Sequence, residues 1–159
     1  MPEVPSRALI NAGFSDVERA KNFLQSKELS KIDPDLIVSK MAHAPDPDQA
    51  LLLALRLVDR HPEAIDIFME PASCQGLVRL LGSSSALGEF LIRCPEALDI
   101  VRQAPPGEFA SVSSEQLVED LLASIEAKES EGGHWVSSYT CAEARQRLRT
   151  AYRKALLSL

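Results

Sequence analysis

Apolar residues recur along this chain at helical spacing, and the stretches between them are short and polar. The clearest case is residues 49–60, where leucines cover more than one face of a predicted helix. We therefore expect this helix to be the most buried in the protein. Its inward stripe is predicted to comprise Leu51, Ala54, Leu55 and Val58.

Capping residues mark where several of the helices begin. Asp33-Pro34-Asp35 and Asp46-Pro47-Asp48 each place Asp before the helix, proline at its first position and an acid in its first turn. Capping boxes, in which two side chains satisfy free backbone N–H groups, are predicted at Ser15-Asp16-Val17-Glu18 and at Ser113-x-x-Gln116. These signals predict helices that begin near residues 17, 34, 47 and 114.

One segment is repeated. Arg60-His61-Pro62-Glu63-Ala64-Ile65-Asp66-Ile67 aligns with Arg93-Cys94-Pro95-Glu96-Ala97-Leu98-Asp99-Ile100. Each proline breaks one helix and starts the next. Two copies are fewer than a solenoid needs, so the pattern predicts a helix-bend-helix unit that is used twice.

The fold class predicted by these patterns is all-α, a bundle of short to medium helices with antiparallel neighbours. No stretch alternates long enough to predict a strand, and 159 residues suit one domain spanning 1–159. Residues 129–134 are polar and contain two glycines, so they are predicted to form a mobile connector. The last helix is predicted to span 141–159, with Leu148, Ala151, Tyr152, Ala155, Leu156 and Leu159 on its apolar face and no stop signal at its end.

Composition narrows the classes of function. A net charge of −6 with 5% aromatic residues disfavours nucleic acid as a partner. The longest apolar run is too short to cross a bilayer, and a secretory signal is not apparent, so a cytoplasmic location is expected. Three widely spaced cysteines, Cys74, Cys94 and Cys141, argue against a disulfide framework.

Candidate chemistry is sparse. The Asp-x-Asp pairs 33/35 and 46/48 have a spacing that can hold magnesium, but helix capping explains them better. The segment Gly82–Gly88 lacks the lysine of a phosphate-binding loop and is better explained by capping and tight packing. No catalytic, cofactor-binding or metal-binding residue is predicted.

Arginines on the last helix are the most informative charged group. Arg145, Arg149 and Arg153 follow one another at four-residue spacing, where like charges repel slightly. Something acidic is therefore expected to face them. Carboxylates of the same domain would satisfy them, and so would a following domain, a nucleotide or a partner protein.

Three segments resemble the bacterial glutamine synthetase adenylyltransferases, two-headed enzymes that attach AMP to glutamine synthetase and remove it. The central segment, from Leu80 to Glu96, has the family's order of leucines, Gly-x-Ser, Leu-Gly and Arg-x-Pro-Glu. Residues Ala12–Ala20 are similar to the family's Gly-Phe-x-Asp helix start, and Leu148–Leu157 to its Leu-Arg-x-x-Tyr-Arg-x-x-Leu-Leu helix. Together the segments span the chain in the expected order.

The resemblance implies an N-terminal helical region that is followed by a nucleotidyltransferase domain absent from this sequence. The whole enzyme would use ATP and Mg²⁺, modify a tyrosine of glutamine synthetase and, in many lineages, respond to a PII-type signalling protein. Two departures bear on this. Cys94 stands where members often have His, and Gly82-Ser83 is followed by serines instead of the two catalytic aspartates. The 159 residues are therefore predicted to be non-catalytic; the alternative is a free-standing helical adaptor that binds another protein.

Overall fold

The computed structural model of the protein describes residues 4–103 and 113–157. Within them the chain forms ten α-helices, two short 3₁₀ turns and one two-stranded sheet, so the predicted helical class is confirmed. Two compact units are distinguished, Met1–Gly107 and Glu108–Leu159. The expectation that 1–159 acts as one domain stays a prediction.

The first unit contains eight helices joined by short connections. Two 3₁₀ turns, Pro62–Ala64 and Pro95–Ala97, lead directly into helices. The helices are α1 (Ser6–Asn11), α2 (Val17–Leu24), α3 (Pro34–Met41), α4 (Pro47–Arg60), α5 (Ile65–Met69), α6 (Pro71–Ser83), α7 (Ser85–Arg93) and α8 (Leu98–Gln103).

Helix α4 lies at the centre of the first unit and packs against α2, α3, α6 and α7. Its predicted burial is confirmed, since half of its residues are buried. The predicted inward stripe is wrong at Leu55, which is only half-buried, whereas Leu53 and Leu57 are buried. Because α4 has neighbours on several sides, its core face is wider than one stripe.

The predicted repeat is confirmed as a repeated local structure. His61 and Cys94 end their helices with nearly the same backbone angles, φ −135° and ψ 83° against φ −128° and ψ 74°. A 3₁₀ turn and a short helix follow in each copy. The same local sequence thus gives the same bend twice.

The helices that lead into the two copies also touch. Arg56 on α4 forms a two-pronged ion pair with Glu89 on α7, and these residues are separated by the same 33 positions as the two copies. The His61 ring bonds the Ile92 carbonyl through Nε2 at 2.8 Å. Residue 56 contacts residue 89, and residue 61, further along the chain, contacts residue 92. Helices α4 and α7 therefore run parallel, whereas antiparallel neighbours were predicted.

Three of the predicted caps are confirmed and one is wrong. The side chains of Asp33, Asp46 and Ser113 accept hydrogen bonds from first-turn N–H groups of α3, α4 and the helix that begins at Ser114. At α2 the cap is Asp16, which accepts from Arg19 N at 3.0 Å, and not Ser15. The Ser15 backbone N–H donates to the Asp48 carboxylate at 2.7 Å. An acid that is distant in sequence therefore also binds the backbone just before α2 begins.

The second unit is a helical hairpin with a small sheet between its helices. Helix α9 spans Ser114–Ser124 and α10 spans Cys141–Leu157, and the two pack together. Strands β1 (Lys128–Glu129) and β2 (Trp135–Val136) pair antiparallel, with Lys128 opposite Val136. Leu159, which was predicted to end the apolar face of the last helix, lies outside the described residues.

The strands correct the prediction that none would form. Residues 130–134 close the sheet: Ser130 N donates to His134 O at 2.8 Å, and Gly133 N donates to Ser130 O at 2.9 Å. Gly133 has a φ of +74°, which glycine adopts without steric cost. Two-residue strands are too short to show alternation, so the pattern could not reveal them. Mobility of 129–134 stays a prediction.

No helix within 4–103 or 113–157 is both long and apolar enough to cross a bilayer.

Candidate interaction surface

The second unit carries the predicted arginines on a hairpin whose turn is held by backbone and side-chain hydrogen bonds. Helix α9 is followed by a left-handed residue, Glu126, at φ 51°. Glu126 N donates to Ala123 O and Ala127 N donates to Leu122 O, both at 3.0 Å, which is the Schellman arrangement. Glycine usually occupies that position, and a non-glycine residue there costs about 1 kcal/mol.

Tyr139 ties the start of α10 to the end of α9. Its hydroxyl donates to Glu126 Oε1 at 2.6 Å, and the Arg147 guanidinium lies 3.9 Å from the centre of its ring. Ser137 Oγ donates to the Ile125 carbonyl at 2.6 Å. These contacts hold the first turn of α10 beside the last turn of α9, so the helices run in opposite directions.

Helix α10 begins with a capping box that was not predicted from the sequence. The Thr140 N–H donates to Glu143 Oε2 at 2.9 Å, and Glu143 N donates to Thr140 Oγ1 at 3.4 Å. The bonds from Thr140 lower the pKa of Glu143. The signal was present as Thr-x-x-Glu directly before the arginine-rich stretch.

The bond to Glu126 gives a testable titration. It raises the pKa of Tyr139, and loss of solvent around the hydroxyl adds to the effect. In a Tyr152→Phe background, Tyr139 is the only tyrosine, so absorbance of tyrosinate reports on it alone. Glu126→Gln is expected to lower the Tyr139 pKa, because a neutral amide is a weaker acceptor than a carboxylate. The control Glu129→Gln removes one negative charge from the same unit and leaves this bond in place. An equal shift in both variants would contradict the assignment.

The arginine stripe lies along α10, as predicted. Arg145 and Arg149 are exposed and Arg153 is half-buried. Arg145 Nη2 lies 3.8 Å from Cys141 Sγ. Among the described residues, no carboxylate forms an ion pair with Arg145 or Arg149. The described acids therefore do not pair with these two side chains, and pairing with acids of the same domain stays a prediction.

Apolar side chains are exposed beside these charges. Tyr152, which was predicted to lie on the apolar face of the last helix, is 48% exposed on α10, and Val118 on α9 is 53% exposed. Trp135 and Val136 of β2 are each 57% exposed. On α9 every described side chain is at least partly exposed. Two helices that share one seam cannot cover apolar side chains on all of their sides, which explains the exposure of Val118 and Tyr152.

Of the aspartates that could have held magnesium, Asp33 and Asp46 act as helix caps, and Asp48 binds the backbone just ahead of α2. Asp33 accepts from Asp35 N at 3.0 Å, Asp46 from Gln49 N at 2.9 Å, and Asp48 from Ser15 N at 2.7 Å. In the described ranges, no group of three or more His, Cys, Asp or Glu side chains is placed to hold a metal ion. Bonds to the backbone thus account for Asp33, Asp46 and Asp48 without a metal ion.

The serine segment acts in capping, as predicted. Ser84 Oγ accepts from Leu87 N at 3.3 Å and so starts α7. Ser83 Oγ donates to Arg79 O at 2.6 Å. Both hydroxyls are thus engaged with the backbone.

Comparison with known proteins gives a consistent set of relatives. No family model and no solved structure matches the chain. A bifunctional glutamine synthetase adenylyltransferase/adenylyl-removing enzyme of Leifsonia xyli subsp. xyli is 31% identical over 153 residues, which cover 95% of this chain and 14% of the relative. The protein of that name in Cutibacterium acnes is 30% identical over 156 residues, 95% of this chain and 15% of the relative. In Streptomyces avermitilis, such a protein is 38% identical over 96 residues, 55% of this chain and 10% of the relative.

Nearly the whole chain thus matches these curated relatives, but it spans only about 15% of their length. The resemblance found in three separate segments is confirmed by matches that run through all of them. This chain is a relative of one segment of the bifunctional glutamine synthetase adenylyltransferase/adenylyl-removing enzymes.

Proposed function

We propose that this chain is a non-catalytic helical module of an enzyme that adenylylates and deadenylylates glutamine synthetase. Similarity over 95% of its length to proteins of that name carries the proposal. The absence of catalytic activity is inferred from the sequence, since Gly82-Ser83 is followed by serines where the family's active sites carry aspartates. ATP and Mg²⁺ would then be bound by a nucleotidyltransferase domain that follows the module.

The module's proposed partners are that following domain, glutamine synthetase and a PII-type signalling protein. We propose Arg145, Arg149 and Arg153 as its protein contact surface. Support comes from the exposure of Arg145 and Arg149, which lack carboxylate partners among the described residues, and from the exposed Tyr152 beside them. Arginine and tyrosine side chains are enriched at protein interfaces.

An AMP-transfer assay tests the enzymatic part of the proposal. The 159-residue chain and the product of the complete reading frame that encodes it are each incubated with glutamine synthetase, ATP and Mg²⁺. Mass spectrometry of glutamine synthetase is expected to show AMP on a tyrosine with the complete product and none with the chain alone. Transfer by the chain would overturn its non-catalytic role. A complete product that ends near Leu159 and transfers nothing would overturn the family role and favour the free-standing adaptor.

A further inference from the structure

The two-stranded sheet of the second unit carries a different pair of side chains on each of its faces. Trp135 lies opposite Glu129, and Val136 lies opposite Lys128. Successive residues of a strand point to opposite faces of the sheet, and directly opposed residues of two strands share a face. One face therefore carries Trp135 with Glu129, and the other carries Val136 with Lys128.

Glu129 and Trp135 belong to the closer kind of cross-strand pair. The next pair toward the turn is hydrogen-bonded, since Ser130 N donates to His134 O at 2.8 Å. Hydrogen-bonded and non-hydrogen-bonded pairs alternate along an antiparallel ladder, so Glu129 and Trp135 form a non-hydrogen-bonded pair. In such pairs the Cα atoms are about 4.5 Å apart and the side chains approach most closely. The carboxylate and the indole ring thus project side by side from the same face.

The face that carries Trp135 and Glu129 is open. Trp135 is 57% exposed, and Glu129 is exposed as well. Within 4–103 and 113–157, no cation lies over the Trp135 ring and no base pairs with Glu129. The neighbouring base in the sequence, Lys128, belongs to the opposite face. Another molecule can therefore reach both groups.

An aromatic ring beside a carboxylate suits a cation that is flat and donates hydrogen bonds. Tryptophan is the best aromatic partner for a cation. A guanidinium stacks on such a ring, and its edge donates hydrogen bonds to a carboxylate. The second unit already contains a stack of this kind, because the Arg147 guanidinium lies 3.9 Å from the centre of the Tyr139 ring. An arginine side chain therefore fits the indole and the carboxylate at once.

The shape of the site favours an arginine of a partner protein over a free small molecule. Pockets that hold small molecules enclose most of the ligand's surface. This site is one face of a two-stranded sheet, and more than half of the tryptophan side chain is open to water. A protein can add contacts from the residues around its arginine, which a small cation cannot. Tryptophan is also enriched among the residues that contribute most to protein interfaces.

We propose that the Trp135–Glu129 face is a docking site for an arginine side chain of a partner protein, with the guanidinium stacked on the indole and paired with the carboxylate. The site takes a basic group, whereas the α10 arginines take acidic ones. It is therefore a second contact, distinct from the α10 surface proposed above, and it does not depend on the enzymatic role.

Nuclear magnetic resonance of the ¹⁵N-labelled 159-residue chain tests the proposal, because Trp135 is the only tryptophan and gives the only indole N–H signal. The probe is a tripeptide with blocked ends and a central arginine; its twin carries citrulline, which has the same shape without the charge. At constant ionic strength, the arginine peptide should shift the indole signal with a Kd of about tens of millimolar, as one cation–π contact and one exposed ion pair imply. The citrulline peptide should leave the signal nearly unmoved.

Glu129→Gln separates the carboxylate from the ring. This variant should raise the Kd by about twofold to fivefold, because it removes the ion pair and keeps the indole. Glu119→Gln removes the same charge from an exposed position of α9 and should leave the Kd unchanged. The backbone amide signals show whether each variant is folded. An indole signal that the arginine peptide does not move, or that both peptides move equally, would overturn the proposal, and so would an equal Kd in Glu129→Gln and the wild type.

Phosphatidylcholine vesicles test the other occupant of an exposed tryptophan, which is a lipid surface. Emission of Trp135 that shifts to shorter wavelength with vesicles, while the arginine peptide has no effect, would assign this face to a membrane and overturn arginine docking. Each of these results leaves the AMP-transfer assay unaffected, so failure of one proposal is distinguishable from failure of the other.

Discussion

Leu57→Ala is expected to lower the free energy of unfolding by about 2–5 kcal/mol, one of the two largest effects that we anticipate from a single substitution in this chain. The Leu57 side chain is fully buried in the C-terminal half of α4. Since α4 packs against four other helices, its neighbours are held from several sides and cannot collapse fully into the space left by the removed atoms. The lost free energy of unfolding therefore has two parts: one from the cavity, and one from the apolar surface that is no longer buried.

Leu55→Ala is the matched control, because it removes the same atoms from the same helix at a half-buried position. We expect it to cost less than half as much as Leu57→Ala, in proportion to the apolar area that it takes out of the core. Urea unfolding followed by far-UV circular dichroism measures both. Equal losses, or a larger loss at Leu55, would mean that α4 is rotated toward the face that the sequence predicted.

Helix starts could be predicted from the sequence because capping is local. Asp33, Asp46 and Ser113 each bond an N–H group two or three residues ahead, so the signal and its structure lie within one turn. The repeated bend was predictable for the same reason: Pro62 and Pro95 impose it on whatever precedes them.

Burial could not be predicted equally well, because it depends on which elements are present to cover a face. Val118 and Tyr152 stand at helical spacing from other apolar residues, yet both are exposed in a hairpin of two helices. Likewise Asp48 has the sequence context of a first-turn acid, but its carboxylate also bonds Ser15 N, more than thirty residues away. The local sequence pattern does not predict such a long-range contact.

The candidate surface was predictable in part. Four-residue spacing of Arg145, Arg149 and Arg153 on a helix followed from the sequence. The exposure of the first two, and the absence of acidic partners among the described residues, required the structure.

Gly82→Ala is expected to destabilise the protein by about 1–3 kcal/mol, even though alanine favours helix over glycine. A Cβ at residue 82 would lie 2.8 Å from Ala44 Cβ, 3.1 Å from the Asp46 carbonyl oxygen and 3.2 Å from the Asp46 nitrogen. None of these atoms can rotate away, because they belong to the backbone or are fixed to it. The segment that starts α4 must therefore move away from α6, which disturbs the buried end of the central helix.

Gly76→Ala is the matched control in the same helix, and we expect it to stabilise the protein. A Cβ at residue 76 would meet no atom within 4 Å, so only the helix preference of alanine remains. We expect this variant to be more stable than the wild type by about 0.5–1 kcal/mol. Thermal unfolding followed by circular dichroism measures both variants. If Gly82→Ala were stabilising by the same amount, the close approach of α6 to the Ala44–Asp46 segment would be wrong. If both were destabilising, the cause would lie in helix α6 itself and not in its packing.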